Sequence, residues 1–325
     1  GQGSVGRVGK LRLQSNQKVL LNQRVGRFVA KNNLDLSYFY YVVSSSYYEE
    51  LLFSAGTGSG QPNLSPDVIR KIEIPILPLP EQKAIAHVLG SLDDRIELNR
   101  RMNGTLEAMA QALFKSWFID FDPVIDNALA GGKEIPAELS KKAQTRAALG
   151  DKRRPLPEEI RTLFTDEFTF SDELGWIPMG WEVKPFGDLI GKTIGGDWGK
   201  EEEDEKHTVK ATIIRGTDIP HLKSGSLSAA PSRWVEMKKL KNRQLDDGDI
   251  VIEVSGGSPK QPTGRALYLT CNLIDRLGCT VEPASFCRKL WPKTKSEGLF
   301  AAIHLERIYG LGKMWEYQNQ STGIA

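Results

Sequence analysis

The longest periodic segment of the chain, residues 80–118, contains no proline after its first residue. Pro80 suits the first position of a helix, and Glu81 is favourable at the N-terminal end of the helix dipole. Alternating spacings of four and three link the mostly apolar positions 85, 89, 92, 96, 99, 103, 106, 110, 113 and 117. Because this alternation is typical of a coiled-coil seam, the sequence predicts one long helix that pairs with another helix.

The seam of this helix is where we expect the pairing. Its candidate pairing residues are Leu89, Leu92, Ile96, Asn99, Asn103, Leu106 and Leu113. The two asparagines interrupt an apolar run, and a buried asparagine in a seam typically lowers stability while it fixes the register and the partner. The alternative is an ordinary amphipathic helix that packs on a globular core. If the stripe is uncovered, we expect the chain to self-associate.

Composition restricts the other classes of function. The chain has 325 residues and a formal charge of +2, so any affinity for DNA must come from the local placement of charge. Cys271, Cys279 and Cys287 lack the spacing of a zinc site, and we expect free thiols in the reducing cytoplasm and no bound metal. No apolar run approaches the ~18 residues of a membrane span, so no membrane partner is predicted.

Motifs for cofactors and catalysis are not matched. The segment GTGSG at 56–60 does not open a helix, and GDLIGKT at 187–193 is one residue too short between its glycines for a phosphate-binding loop. Asp172, Glu182 and Lys184 could form a nuclease-like set, but carboxylates are too common for this pattern to indicate catalysis. The sequence therefore predicts no cofactor and no catalytic residue.

The remaining elements follow from cap and turn signals. They are short strands within residues 1–30, a helix capped by Asp35 and running to about Phe53, a short helix at 66–71, a strand at 72–76 and one short helix at 136–148. The stretch 126–175 has few large apolar residues and is predicted as an extended connection. A second strand-rich globular region begins near residue 176.

The second region matches the first in sequence. VGRVGKLRL near residue 6 matches TGRALYLT near residue 264, and FVAKNNLDLSYFYYVVSS matches KLWPKTKSEGLFAAIHLE. The chain is therefore expected to be a window from a longer protein that contains two copies of one recognition module.

The helical segment also carries a resemblance to a known family. LPLPEQKAIAHVLGSLDDRIELNRRMNGTLEAMAQALFKSWFIDFDPV resembles the helical spacer of the specificity subunit of type I restriction-modification systems. SGQPNLSPDVIRKIEIP and GWIPMGWEVKPFGDLI are similar to the end and the start of that family's target recognition domains. The chain lacks the opening half of the first recognition domain and the second long helix, so it looks like a fragment.

The resemblance implies a fold and a division of the chain. The fold would be α+β, with two strand-rich target recognition domains, both incomplete, joined by a long helix that forms a coiled coil. The implied segments are residues 1–78 for the end of the first recognition domain, 79–120 for the spacer helix, 121–175 for a linker, and 176–325 for the second recognition domain without its end.

The resemblance also implies a function in the cytoplasm. The chain would be a non-catalytic subunit that recognises a split site in double-stranded DNA. It would dock modification subunits, which methylate adenine, and a restriction subunit. The alternative is a restriction nuclease or methyltransferase with a fused recognition domain, whose catalytic part lies outside this sequence.

Residues for DNA contact are predicted from basic and amide side chains on glycine-rich loops. Arginine pairs with guanine, asparagine and glutamine pair with adenine, and lysine binds phosphate. The candidates are Arg7, Lys10, Asn22, Gln23 and Arg24 in the first region, and Arg215, Lys260, Gln261 and Arg265 in the second.

Overall fold

The fold is mixed helix and sheet, as predicted for an α+β protein. A computed structural model describes residues 6–13, 16–56, 64–227, 230–256, 260–278 and 280–317. The chain divides into two compact units, Gly1–Arg101 and Met102–Ala325. The division falls inside α4, the long helix, which spans Leu79–Phe118 and confirms the predicted helix.

Helices dominate the described part of the first unit. They are α1 (Leu36–Val43), α2 (Ser46–Ser54), α3 (Pro66–Arg70) and the first half of α4. The Asp35 side chain accepts hydrogen bonds from the backbone N–H groups of Ser37 and Tyr38, which confirms it as the cap of α1. Ser65 caps α3 in the same way. The helix predicted from Asp35 to Phe53 is interrupted between α1 and α2.

The strands predicted within residues 1–30 and at 72–76 are wrong for the described residues. Residues 6–13, 16–30 and 72–76 contain turns and irregular backbone without a strand. Leu20 is 94% exposed and Val29 is 77% exposed, so apolar side chains that would line a sheet have no sheet to pack on. An extended segment becomes a strand only when a neighbouring strand satisfies its backbone hydrogen bonds. The first region is consequently not strand-rich in the part that the structure describes.

Gln82 attaches the start of α4 to the loops around it. Its Oε1 accepts from the Asp35 backbone N–H at 2.8 Å, and its Nε2 donates to the carbonyls of Asn33 (3.0 Å) and Leu77 (2.7 Å). The residue is fully buried, and each of these bonds satisfies a group that would otherwise lose its water. The start of the helix is thus fixed by a buried amide that the periodicity did not single out.

The helix predicted at 136–148 is confirmed, but the extended connection predicted around it, over 126–175, is wrong. The segment continues α5 (Asp122–Gly131) and then forms α6 (Ser140–Ala148), α7 (Glu158–Arg161) and a hairpin of β1 (Phe168–Ser171) and β2 (Gly175–Pro178). Within α5, Val124, Ile125 and Ala128 are completely buried. Buried apolar residues of α5 therefore form a packed element where the sequence indicated a linker.

Two sheets form the strand-rich part of the second unit, which the sequence predicted from residue 176. One is antiparallel in the order β3-β9-β6-β7; in the other, β4 pairs antiparallel with β5 and parallel with β8. The strands are β3 (Ile190–Gly195), β4 (His207–Ile214), β5 (Ser232–Glu236), β6 (Ile250–Glu253), β7 (Ala266–Tyr268), β8 (Val281–Pro283) and β9 (Cys287–Pro292).

A shared core joins the two sheets. Ile214 and Val281 of the three-stranded sheet lie in one buried cluster with Val251 and Leu267 of the four-stranded sheet. Helices α8 (Ile219–Lys223) and α10 (Cys271–Leu277) contribute to this cluster. The outer faces are covered by α9 (Met237–Arg243) on the three-stranded sheet and α11 (Lys295–Gly310) on the four-stranded sheet. The sheets are thus fixed in relation to each other, and so are the loops at their ends.

Candidate nucleic-acid interface

Four loops meet at one end of these two sheets, and we refer to them as the loop cluster. They are residues 196–198 after β3, 215–218 after β4, the described parts of 254–264 between β6 and β7, and 284–286 between β8 and β9. Backbone hydrogen bonds connect them: Asp197 N–H donates to Pro283 O (3.0 Å), Ala284 N–H to Ile214 O (2.9 Å), and Val254 N–H to Phe286 O (2.9 Å).

The four DNA-contact residues predicted in the second region lie in this cluster or at its edge. Gly216 packs directly on Glu253, because a Cβ at Gly216 would lie 2.3 Å from Glu253 Oε1. Glu253 in turn binds Arg265. Arg215, which precedes Gly216, and Arg265 are therefore brought to neighbouring positions although 50 residues separate them in the sequence.

Arg215 is held by a buried carboxylate. Its Nε lies 2.9 Å from Asp218 Oδ2, its Nη2 lies 2.7 Å from Oδ1, and Asp218 is 1% exposed. The hydrogen bond with Asp218 raises the pKa of Arg215. The Arg215 side chain is still 38% exposed, so its guanidinium faces solvent while the carboxylate does not.

Arg265 is held more completely. Its Nε and Nη2 bind the two oxygens of Glu253 at 2.9 and 2.5 Å, and the two side chains are only 11% and 3% exposed. The hydrogen bond with Glu253 raises the pKa of Arg265. The fork that would bind guanine is occupied by Glu253, so in this arrangement Arg265 shapes the loop and does not present itself to DNA.

The described part of the loop between β6 and β7 is shaped by two glycines and by contacts with Tyr309 and Met314. Gly256 and Gly264 have φ values of +113° and +109°, which residues with a Cβ rarely adopt. A Cβ at Gly264 would lie 2.9 Å from the Met314 sulfur. Gln261 donates from Nε2 to the Tyr309 hydroxyl at 3.3 Å, and Lys260 beside it is exposed. The two predicted polar residues are therefore presented on a loop with anchored ends.

Two apolar residues of the cluster escaped the sequence analysis. Phe286 is 58% exposed and Val254 is 46% exposed, and the backbone hydrogen bond between them makes them neighbours. Val254 ends the strand-like run DIVIEV and Phe286 follows EPAS, and neither was among the predicted contact residues. The only signal in the sequence is the position of Phe286 between two short strands, where a turn is needed.

The first-region candidates lie in the first unit. Arg7 Nε is 3.3 Å from Glu49 Oε1, and Lys10 Nζ donates to Ser37 Oγ at 3.1 Å, so both contact the α1–α2 helices. Asn22, Gln23 and Arg24 form a turn closed by Val25 N–H donating to Asn22 O, and Asn22 Oδ1 accepts from Arg24 N–H. The structure thus joins the last three in one turn and places the first two against helices.

Most of the seam of α4 is exposed in the described part of the chain, although Trp117 at its end contacts Phe164. Leu92 and Ile96 are 50% and 48% exposed, Leu106 and Leu113 are 56% and 50% exposed, and Leu89, Asn99 and Asn103 are exposed as well. Further exposed apolar side chains continue the stripe, namely Val88, Met102 and Met109. At its C-terminal end the helix packs on the core of the second unit, where Phe114 contacts Phe300, whereas the pairing residues from Leu89 to Leu113 are exposed.

Chemically reactive groups are few in the described residues. No group of three or more His, Cys, Asp and Glu side chains there could hold a metal ion. Burial raises the pKa of the Cys287 thiol to about 12, so it stays protonated, and a hydrogen bond to Asp247 raises that of Cys271. Cys279 lies outside the described residues. None of the described helices is both long and apolar enough to cross a membrane.

Comparisons with known proteins give one consistent family. A family model described as the type I restriction modification DNA specificity domain matches residues 2–108. The MjaIX specificity subunit of Methanocaldococcus jannaschii is 28% identical over 243 residues, which cover 74% of this chain and 46% of that protein. The HindI specificity subunit of Haemophilus influenzae is 31% identical over 203 residues, which cover 57% of this chain and 42% of that protein.

Solved structures show a weaker likeness. The S subunit of a type I restriction-modification system from M. genitalium has 15% sequence identity and a TM-score of 0.39, over 89% of this chain and 57% of that one. The sequence matches, and not this superposition, therefore carry the relationship. The chain spans less than half the length of each of these two curated relatives.

Proposed function

Since the chain carries a type I restriction modification DNA specificity domain and is related over most of its length to specificity subunits, we propose that it recognises specific DNA sequences for such a system. The family predicted from the sequence is confirmed. Its relatives are named as specificity subunits of restriction enzymes, and the proposal extends that role to this chain.

The observation that carries this proposal beyond the family is the charge of the loop cluster. Asp218 and Glu253 are buried, while the Arg215 guanidinium and Lys260 are exposed. Among the described side chains of the cluster, Lys260 therefore adds an exposed cation, and the exposed Arg215 guanidinium is paired with the buried Asp218. Local positive charge at exposed loops is what binding to DNA phosphates requires.

Catalysis, in this proposal, belongs to partner chains. Modification subunits would methylate adenine and a restriction subunit would cut, so this chain would need no cofactor and would act in the cytoplasm, where the DNA is. Residues 1–78 and 176–325 would be parts of two target recognition domains, residues 79–120 the spacer helix, and 121–175 the segment between them. The exposed seam of α4 would take a second helix, from the rest of the subunit or from a second copy of the chain.

A selection experiment tests DNA recognition directly. The chain is incubated with a random pool of DNA duplexes, bound duplexes are recovered, and the enriched sequences are read. We expect one enriched motif, bound with an affinity that falls steeply as salt rises. Recovery of unselected sequences alone would contradict the proposal.

Two lysines make a matched pair for this experiment. Lys260→Ala removes a charge from the loop cluster and should weaken binding to all duplexes. It should also reduce the slope of log affinity against log salt concentration by about one. Lys293→Ala removes an exposed lysine from the opposite end of β9 and should leave both unchanged. Equal effects of the two variants would show that the loop cluster is not the interface.

The alternative, a nuclease or methyltransferase in this chain, is tested separately. The purified chain is assayed on the selected duplex with Mg²⁺ and, in parallel, with a methyl donor. The specificity-subunit proposal predicts no cleavage and no methyl transfer. Turnover that persists through purification would favour the alternative.

A further inference from the structure

An exposed phenylalanine stands on a rigid turn at the edge of the loop cluster. The turn between β8 and β9 is closed by Cys287 N–H donating to Ala284 O at 2.8 Å. The carbonyl of Phe286 accepts from two backbone N–H groups of the neighbouring loop, those of Val254 (2.9 Å) and Ser255 (3.3 Å). The backbone is thus held on both sides, while the ring itself is 58% exposed.

The ring cannot readily fold inward. Cys287, the next residue, is fully buried in the core shared by the sheets, and Ala284 is 3% exposed. Those inward positions are filled, so Phe286 points its side chain outward, together with Val254. Turns are ordinarily built from small polar residues, and an aromatic ring fixed at such a position exposes apolar area without any gain in folding.

The surroundings of the ring indicate what could cover it. Arg215 and Lys260 supply exposed positive charge in the same cluster, and the carboxylates of Asp218 and Glu253 are buried beneath it. An apolar ring near an exposed lysine and an exposed guanidinium edge suits a ligand that is anionic outside and apolar inside. Duplex DNA is such a ligand, with phosphates along its surface and stacked bases within.

We propose that Phe286 inserts its ring between neighbouring base pairs of the bound DNA, with Val254 packed beside it. This inference rests on the proposed DNA recognition and names a residue that sets specificity. Apolar side chains, phenylalanine among them, act as wedges that partly unstack a base step and kink the duplex. The fixed turn suits this role, because a rigid side chain loses little conformational entropy when it inserts.

A wedge also contributes to sequence choice without a hydrogen bond. Pyrimidine–purine steps are unstacked and kinked more easily than other steps. Phe286 therefore favours a flexible step at one position of the recognised sequence. This accounts for selectivity at a point where Arg265, whose fork is occupied by Glu253, makes no base contact in the present arrangement.

The test uses the motif enriched by the unsubstituted chain. The fluorescent analogue 2-aminopurine replaces each adenine of that duplex in turn, and its emission rises when the base is unstacked. Binding of the unsubstituted chain should raise the emission at one step only. Phe286→Ala should abolish this rise and weaken binding about tenfold. Phe286→Trp should keep both the emission rise and the affinity of the unsubstituted chain. The midpoint of thermal unfolding should not change, because the ring is exposed.

Phe170→Ala is the matched control. Phe170 is 59% exposed, the same as Phe286 within 1%, but it lies on the β1–β2 hairpin outside the loop cluster. This variant should keep the affinity and the emission. A Phe286→Ala variant that binds with the original affinity and still raises the emission would overturn the wedge. Failure of the unsubstituted chain to enrich any motif would instead overturn the DNA recognition on which the wedge rests.

Discussion

Glu282 on β8 lies where the fold does not accommodate a charged carboxylate. The residue is fully buried, and neither of its carboxylate oxygens has a hydrogen-bond partner among the described residues. Lys239 and Arg243 are near, but both bind Asp197, at 3.2 and 3.7 Å. Burial, with a contribution from the Asp197 charge, raises the pKa of Glu282 to about 7.

The sign of the resulting pH dependence follows from this raised pKa. An unfolded glutamate titrates near 4.5, so between that value and about pH 7 the folded state holds a proton that the unfolded state has lost. The free energy of unfolding therefore falls as pH rises through this interval. A difference of about 2.5 pH units at 1.36 kcal/mol each gives an upper limit of about 3 kcal/mol.

Replacing the carboxyl group with an amide tests this reasoning. Glu282→Gln keeps the shape but cannot ionise, so at pH 8 the free energy of unfolding should rise by about 2–3 kcal/mol. The midpoint of thermal unfolding should rise by about 5–10 °C at pH 8. Well below pH 4.5 the variant and the unsubstituted chain should be equally stable, because the Glu282 carboxyl is then protonated in both the folded and the unfolded state. Urea titrations monitored by tryptophan fluorescence at several pH values measure the effect.

A neighbouring glutamate provides a control of opposite sign. The hydrogen bond from Lys239 lowers the pKa of Glu236, so the stability this contact gives is present above about pH 4.5 and is lost as the carboxyl is protonated. Glu236→Gln should consequently reduce stability at pH 8.

A Glu282→Gln variant that is less stable than the original at pH 8, or equally stabilised at both pH values, would refute the account of Glu282 as a buried, unpaired carboxyl.

Three further substitutions have definite expected outcomes. Arg265→Ala leaves Glu253 buried and unpaired, so urea titration should show a loss of about 3–5 kcal/mol, and an unchanged stability would contradict the pairing. Asp35→Ala removes the cap of α1 and should cost about 1 kcal/mol in the same titration, whereas Asp35→Asn should retain most of it. Leu92→Lys combined with Leu106→Lys charges the exposed seam, so sedimentation should show less self-association without a change in the unfolding midpoint; undiminished association would show that the seam is not the contact.

The sequence was informative where structure is determined locally. The long helix was predicted almost to the residue because an unbroken apolar period and the absence of proline depend only on near neighbours. The cap formed by Asp35 was predicted for the same reason, since Asp35 bonds to N–H groups two and three residues away. Such signals need no knowledge of what packs against them.

Prediction failed where structure depends on distant partners. The apolar runs before Asp35 have the composition of strands but lack a neighbouring strand in the described residues. The stretch predicted as a linker is held together by Asp126, whose carboxylate binds both Arg146 and Arg153. Composition alone cannot distinguish an alanine-rich linker from a helix whose alanines are buried, because the difference lies in the packing.

The candidate interface shows the same limit and suggests a division of roles. The presence of arginine on glycine-rich loops led to a prediction of base contact. In the structure, buried carboxylates hold both arginines of the cluster. No spacing rule in the sequence indicates that Glu253 lies across from Arg265. A guanidinium fixed in this way orders the loop. The side chains that extend beyond it, Lys260 and Phe286, are then the ones positioned to reach DNA. Substitution at Arg265 should accordingly alter the protein's stability before it alters its choice of sequence, and substitution at Phe286 should do the reverse.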